Sequence, residues 1–167
     1  MRRWYHNRSR LLISSSEIED CCQPWTFPLD DFDYVHIRYL LGAIVDWTAL
    51  YREAFAVLKP GGYLESHEGS AIAHCDDNST PPTSAVSQWG DLFNEGGKVA
   101  GRSFTVATDG TQRKAMEEAG FVDVRVKYFK ARETLNSNDF CVYTKAYTHS
   151  PLPTSEDPQC SSMACVE

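Results

Sequence analysis

The feature that most constrains the fold is a strand–helix–strand pattern in the first half of the chain. Residues 32–41 are rich in aromatic and β-branched side chains, which favours a buried strand. Asp46 is suited to cap a helix, and Pro60-Gly61-Gly62 ends that helix before a second predicted strand at residues 63–67. Between these limits the apolar residues recur at the spacing of an amphipathic helix: Trp47, Leu50, Tyr51, Ala54, Phe55 and Leu58.

The second half of the chain continues to alternate helices with strands. The same signals predict helices over residues 84–99 and 111–119 and strands over residues 121–130 and 140–147. Gly120 ends the second helix, which Asp109 or Thr111 caps. Four side chains are expected on one side of the first strand: Val122, Val124, Val126 and Tyr128. Strands that alternate with helices imply an α/β fold with helices over a sheet.

Length and composition indicate one domain of 167 residues, with 42% hydrophobic side chains. We expect the domain at residues 17–147, a basic irregular tail at residues 1–16 and a disordered tail at residues 148–167. The net charge of −7 argues against nucleic acid as a partner, and no apolar run reaches the roughly 20 residues of a membrane span.

The six cysteines are expected to be reduced, because the N-terminal residues lack the apolar segment of a signal peptide. We therefore expect a cytoplasmic or nuclear protein. The arginine- and serine-rich N-terminus leaves mitochondrial targeting as the alternative. Neither Cys21-Cys22 nor His74-Cys75 has the two-residue spacing of zinc ligands, so no metal site is predicted.

Five motifs in order resemble the class I methyltransferases that use S-adenosylmethionine, and most closely the fungal LaeA-like subgroup. The resemblance covers about residues 17–132. The five motifs are Asp20, Pro24-Trp25-Thr26-Phe27, Asp33 to His36, Gly42-Ala43-Ile44-Val45-Asp46-Trp47 and Leu58-Lys59-Pro60-Gly61-Gly62. Two later segments, at residues 101–104 and 119–124, also resemble this family. The resemblance implies a partial Rossmann-like methyltransferase sheet with flanking helices.

The resemblance also implies which residues bind the cofactor. An acidic residue at the end of its strand, here Asp20, would accept a hydrogen bond from the adenine amino group, and the backbone of Cys21 would donate to a ring nitrogen. The alternative for Asp20 is a turn or cap. His36 and Arg38 end their strand where open α/β sheets bind ligands, beside the methionine part of the cofactor. Trp25 is expected to pack rather than to flank the adenine. No catalytic residue is identified.

One departure from the family pattern is that no glycine precedes Gly42. The acidic-x-Gly-x-Gly loop, whose backbone approaches the cofactor closely, is therefore missing, and we expect a domain that lacks its first two strands. This argues against activity of the chain as written. The alternative is a non-catalytic remnant that binds a partner, in a homo- or hetero-oligomer, through the exposed edge of the strand at residues 32–41. As a methyltransferase, the chain would act on an unspecified methyl acceptor.

Two further groups of residues invite a functional interpretation. Residues 96–103 nearly spell a phosphate-binding loop, but a helix rather than a strand is predicted before them, so the motif is rejected. Glu65 and Glu68 follow the Gly-Gly turn and are candidates for a general base. Solvated loop carboxylates are the favoured interpretation of both.

Overall fold

The structure is a computed structural model that describes residues 20–74, 81, 83–134, 137–147 and 163–166. The predicted basic tail at residues 1–16 lies outside this part. The elements, in chain order, are β1 (Phe32–Arg38), α1 (Trp47–Val57), β2 (Leu58–His74), α2 (Ala85–Ala100), α3 (Thr111–Ala119), β3 (Val122–Thr134), β4 (Ser137–Tyr147) and β5 (Met163–Val166). The strands form one sheet in the order β3-β4-β2-β1-β5. β1 runs parallel to both neighbours, and β4 runs antiparallel to both of its neighbours.

The predicted strand–helix–strand unit is confirmed as β1, α1 and β2. Asp46 caps α1, because its Oδ1 accepts a hydrogen bond from the backbone N–H of Ala49 at 2.9 Å. β1 ends three residues earlier than predicted, since Tyr39 adopts a positive φ of 55°. Pro60-Gly61-Gly62 was expected to end the helix, but α1 already ends at Val57 and these three residues lie within β2. Gly61 takes a φ of +86° there, where the pairing register with β1 shifts.

Helices α2 and α3 lie within one residue of their predicted bounds. The Ser84 side chain caps α2 by accepting from the backbone N–H of Ser87, and Gly120 ends α3 in the left-handed conformation. α2 continues through Gly96 and Gly97 to Ala100. A helix, and not a strand, therefore leads into the residues that resemble a phosphate-binding loop and covers most of them.

One prediction for β3 is wrong. Val124 is buried, whereas Val122, expected on the same side, is 37% exposed. Asp123 adopts a φ of 52°, and the pairing register with β4 shifts between Val122 and Arg125. This irregularity breaks the two-residue alternation at the start of the strand, so Val122 does not share the core side with Val124.

The predictions for the C-terminal tail and for the free sheet edge need correction. Met163–Val166, within the tail expected to be disordered, forms β5 and pairs in parallel with Tyr34 to Ile37 of β1. The outer edge of β1, expected to be exposed, is therefore hydrogen-bonded over these residues to the chain's own terminal segment. An unpaired backbone edge is unfavourable, which gives a physical reason for this pairing.

The core lies between one face of β1 and β2 and the helices α1 and α3. β1 contributes Val35 and Ile37, and α1 contributes Trp47, Leu50 and Tyr51. A polar contact crosses the same layer: Tyr51 and Gln112 both donate to Ser66 Oγ at 3.0 Å. No helix in the described part of the chain is long and apolar enough to cross a membrane.

Candidate functional site

A pocket of about 510 Å³ lies between the segment before β1 and the first turns of α1. It is lined by Asp20, Cys21, Cys22, Gln23, Pro24, Ala43, Ile44, Val45, Asp46, Ala49, Leu50, Glu53 and Arg102. Its volume falls within the range of about 300–1,000 Å³ that is typical of small-molecule sites. Two of the four residues that the resemblance assigned to the cofactor, Asp20 and Cys21, belong to this lining.

The first wall of the pocket is a tight turn. The backbone N–H of Gln23 donates to the carbonyl of Asp20 at 3.0 Å, and the N–H of Cys22 donates to Asp20 Oδ1 at the same distance. Asp20 thus stabilises a turn, which is the alternative to cofactor binding in the sequence analysis, and it lines the pocket as well. The carboxylate is exposed, so its second oxygen is accessible to a ligand.

Trp25 fixes this turn against the domain. Its backbone N–H donates to Glu53 Oε2 at 2.8 Å, and its indole N–H donates to the carbonyl of Cys21 at 3.2 Å. The ring packs edge-on against Phe27 and joins the partly buried border of the core. The structure therefore gives Trp25 the packing role that the sequence favoured, and the pocket wall is held by α1 through Glu53.

The second wall is the loop between β1 and α1. Gly42 allows this loop to pass the Phe104 ring, since a Cβ on Gly42 would lie 2.1 Å from the ring's Cζ. The N–H of Gly42 donates to the carbonyl of Ser103 at 3.2 Å, and the Arg102 guanidinium donates to the carbonyl of Ala43. The segment after α2 thus holds the loop that lines the pocket.

The charges around the pocket are mostly negative. Asp20, Asp46 and Glu53 line it, whereas Arg102 is its one cationic side chain among the lining residues. Burial, then the neighbouring Cys22, raises the pKa of the Cys21 thiol. Cys21 is therefore a neutral thiol near pH 7 in the absence of a bound partner, not an activated nucleophile.

His36 and Arg38 lie outside the lining of this pocket. The buried residues Val35 and Ile37 face the helices, so His36 and Arg38 project from the opposite face of β1. There the Tyr34 hydroxyl donates to Glu65 Oε2 at 2.5 Å and lies 3.0 Å from His36 Nδ1. The structure thus separates the four predicted cofactor residues into two pairs.

Next to this cluster is His67, whose ring packs edge-on against His36 with centroids 5.0 Å apart. Burial, and after it the nearby His36, lowers the pKa of His67. The His67 imidazole therefore favours its neutral form at pH 7.

Glu68 was not expected to be buried, yet only 1% of it is exposed, and burial raises its pKa to about 7. The interpretation as a solvated loop carboxylate is wrong for this residue. The two-residue period of β2 carried the signal: Leu64 and Ser66 are buried on the same face, and Glu68 continues their row.

Three potential metal ligands meet at the first wall of the pocket. One carboxylate oxygen of Asp20 and the sulfurs of Cys21 and Cys22 all lie within 4.8 Å of one another. The spacing of the cysteines did not predict this group. The folding of the turn brings the Asp20 carboxylate close to the two cysteine sulfurs.

The arrangement of strands and helices is that of a Rossmann-like methyltransferase. A phosphoethanolamine N-methyltransferase from Haemonchus contortus, solved with S-adenosyl-L-methionine, aligns with 80% of this chain and 36% of its own, at a TM-score of 0.51 and 17% identity. An S-adenosylmethionine-dependent methyltransferase from Mesorhizobium loti aligns with 78% of this chain and 68% of its own, at a TM-score of 0.52 and 17% identity. These similarities show the fold.

The family follows from the sequence. A family model described as "Methyltransferase domain" matches residues 9–126, so the chain belongs to the methyltransferase domain family. The secondary metabolism regulator laeA of Fusarium oxysporum f. sp. lycopersici is 39% identical over 110 residues, which cover 64% of this chain and 34% of the relative. The methyltransferase pytC of Aspergillus terreus is 32% identical over 99 residues, which cover 59% and 30%. The chain thus spans about a third of the length of these curated relatives. The resemblance to LaeA-like methyltransferases is confirmed.

Proposed function

We propose that this chain binds the nucleoside end of S-adenosylmethionine in the pocket between Asp20 and α1, and that it serves methyl transfer. The observation that carries the proposal is the position of the Asp20 carboxylate at a pocket of about 510 Å³ in a methyltransferase domain. The Haemonchus contortus enzyme of the same fold was solved with this cofactor.

The lining suits a nucleoside in three respects. Pro24, Ile44 and Leu50 supply apolar surface for a purine ring. Asp20 supplies an acceptor for an exocyclic amino group, a donor that a purine such as adenine presents. Glu53 lies further along α1 in the same lining, and its carboxylate is suited to accept from ribose hydroxyls.

Methyl transfer itself makes few demands on a protein. A nucleophile attacks the sulfonium methyl in line, and rate enhancement comes largely from holding the two reactants together. We therefore assign Asp20 and Cys21 to cofactor binding and assign no residue to proton transfer. One relative is called a methyltransferase and another a regulator of secondary metabolism. A methyl acceptor of this chain belongs to the same proposal.

The test is a calorimetric titration of the purified chain with S-adenosylhomocysteine. We expect saturable binding, about tenfold weaker in Asp20→Ala because a hydrogen bond to a charged acceptor is lost. Ala49→Phe fills the pocket from α1 and should abolish binding. The matched control is Ala56→Phe, since Ala56 is an exposed alanine of the same helix that does not line the pocket.

The placement has a second internal test. His36→Ala and Arg38→Ala remove the two residues that the resemblance assigned to the cofactor but that lie outside this lining. We expect either variant to bind within about twofold of the wild type, because the pocket walls stay intact. Binding that is lost in these variants but kept in Ala49→Phe would move the cofactor to the other face of β1.

The alternative function is a non-catalytic protein that binds a partner through the outer edge of β1. This alternative is not favoured. That edge carries β5 over Tyr34 to Ile37. A partner strand would first have to displace the chain's own segment.

A further inference from the structure

We propose that Asp20, Cys21 and Cys22 bind a thiophilic divalent cation, zinc by the chemistry of the donors, at the wall of the pocket. The starting observation is geometric. One ligand atom from each residue lies within 4.8 Å of the other two. Three consecutive residues achieve this because the turn folds the side chains towards one another.

The hydrogen bonds of the turn bring the donors together. Asp20 Oδ1 accepts from the backbone N–H of Cys22 at 3.0 Å, which brings the carboxylate back over the second cysteine. The carbonyl of Asp20 accepts from the N–H of Gln23 at 3.0 Å, which closes the turn. Both cysteines are free thiols, and their side chains are hydrogen-bonded to each other.

The distances suit a single ion after a small adjustment. Zinc binds thiolate sulfur at about 2.3 Å in tetrahedral geometry, which places two sulfurs about 3.8 Å apart. The three atoms therefore need to approach by no more than about 1 Å from their 4.8 Å limit. Asp20 and Cys22 are exposed, so these side chains have room to rotate.

The donor set selects the type of cation. Two sulfur donors favour zinc, cadmium or copper(I) over magnesium or calcium, which prefer oxygen ligands. Asp46 and Glu53 line the same pocket, and their negative charge also favours a cation there. Three protein ligands leave the fourth position of a tetrahedral ion open to the pocket.

The cation site overlaps the proposed nucleoside site, because both use Asp20 and Cys21. The cation and the cofactor are therefore expected to compete. This part of the inference rests on the proposed function, whereas cation binding itself does not.

The first experiment is a titration of the reduced full chain with Cd²⁺. Binding is monitored through the ultraviolet absorption of the cadmium–thiolate bonds that form. The double variant Cys21→Ser/Cys22→Ser should lose one equivalent of bound Cd²⁺. The matched control Cys75→Ser/Cys160→Ser also removes two cysteines and should keep that equivalent. Circular dichroism checks that each variant has the wild-type secondary structure.

A second variant keeps both sulfurs. Asp20→Asn replaces the charged third ligand with a neutral amide. Calorimetry should show that Zn²⁺ binds about tenfold more weakly or worse, because even the loss of a group that only hydrogen-bonds to a metal ligand weakens metal binding by about tenfold or more. The proposal is overturned if the cysteine double variant and the wild type bind the same number of Cd²⁺ ions, or if Asp20→Asn binds Zn²⁺ as tightly as the wild type.

Competition separates this proposal from the proposed function. One equivalent of Zn²⁺ should weaken S-adenosylhomocysteine binding at least several-fold in the wild type, but not in Cys21→Ser/Cys22→Ser. If the cysteine variant loses the cation while Zn²⁺ leaves S-adenosylhomocysteine binding unchanged in the wild type, the cation site is supported and the nucleoside position at Asp20 is overturned. If Ala49→Phe abolishes S-adenosylhomocysteine binding while the cysteine variant keeps its Cd²⁺, the nucleoside position is supported and the cation site is overturned.

Discussion

Glu68 Oε1 accepts a hydrogen bond from the backbone N–H of Leu40 at 3.1 Å, so a buried carboxylate in β2 holds the loop that follows β1. The other oxygen, Oε2, has no hydrogen-bond partner among the residues that the structure describes. The same loop continues to Ala43 and lines the candidate pocket. Glu68 therefore connects the core to the pocket wall at the expense of burying a group that can carry charge.

Glu68→Gln should change how stability depends on pH. Burial raises the pKa of Glu68 from its ordinary value of 4.5 to about 7, so between these values the folded chain holds a proton that the unfolded chain has released. This group therefore makes stability fall as the pH rises from 4.5 to 7. Glutamine resembles the protonated form, so Glu68→Gln should gain on the order of 3 kcal/mol relative to wild type between pH 4.5 and 8. Urea unfolding at several pH values measures the difference.

Glu117→Gln is the control for the Glu68 prediction. Glu117 is exposed and pairs with Arg113 at 2.9 Å on the surface of α3. Its removal should change stability by less than about 0.5 kcal/mol at any pH in this range. Parallel pH profiles for Glu68→Gln and wild type would show that Glu68 titrates at its ordinary pKa.

Ser66→Ala should destabilise the core although it removes a single oxygen. Tyr51 and Gln112 both donate to Ser66 Oγ at 3.0 Å, and all three residues are at least 98% buried. The variant leaves two buried donors without this acceptor, which costs about 2–3 kcal/mol in urea unfolding. Tyr51→Phe removes one of those donors. The double variant Ser66→Ala/Tyr51→Phe should therefore lose less unfolding free energy than the two single variants lose in sum.

Thr48→Ala provides the comparison for the Ser66 prediction. Thr48 Oγ1 donates to Glu118 Oε2 at 3.1 Å between the same two helices, but this hydrogen bond is exposed. Its loss should cost less than about 1 kcal/mol. Equal losses for Thr48→Ala and Ser66→Ala would contradict a special role for the buried network.

Local sequence signals predicted the helices well, because their ends are set by nearby residues. Asp46 caps α1 with its own side chain, and Gly120 ends α3 through its own backbone conformation. The start of β3 was harder to predict. The positive φ of Asp123 depends on the pairing with β4, and a two-residue period in the sequence does not report it.

Long-range contacts explain the remaining differences. β5 pairs with β1 across most of the chain length, and its four residues carry no strong strand signal of their own. Asp20 and Cys21 were found through the resemblance, whereas Glu53 and Arg102 join them only after folding. The pocket could not be assembled from spacing alone, because its walls come from three separate segments.

Deletion of residues 163–167 should make the chain self-associate. β5 covers the edge of β1 from Tyr34 to Ile37, and its loss makes β1 an edge strand with unpaired backbone groups. Sedimentation velocity should show concentration-dependent oligomers for this variant. Deletion of Glu167 alone leaves β5 intact and should sediment as the wild type does. A monodisperse deletion variant with wild-type sedimentation would mean that β5 does not protect this edge in solution.

Two adjacent glycines of α2 should respond to alanine in opposite directions. A Cβ on Gly97 would lie 2.4 Å from the backbone oxygen of Arg102 and 2.7 Å from the Phe104 ring, whereas a Cβ on Gly96 meets nothing within 4 Å. Gly96→Ala should stabilise the protein by about 0.5–1 kcal/mol, because alanine favours a helix over glycine. Gly97→Ala should lose about 2 kcal/mol or more, because a backbone oxygen cannot move aside as a side chain can. Urea unfolding of the two variants measures both values. The variants are matched, because they make the same substitution in the same helix. A stabilised Gly97→Ala would therefore disprove the close packing of α2 on the segment that holds the pocket loop.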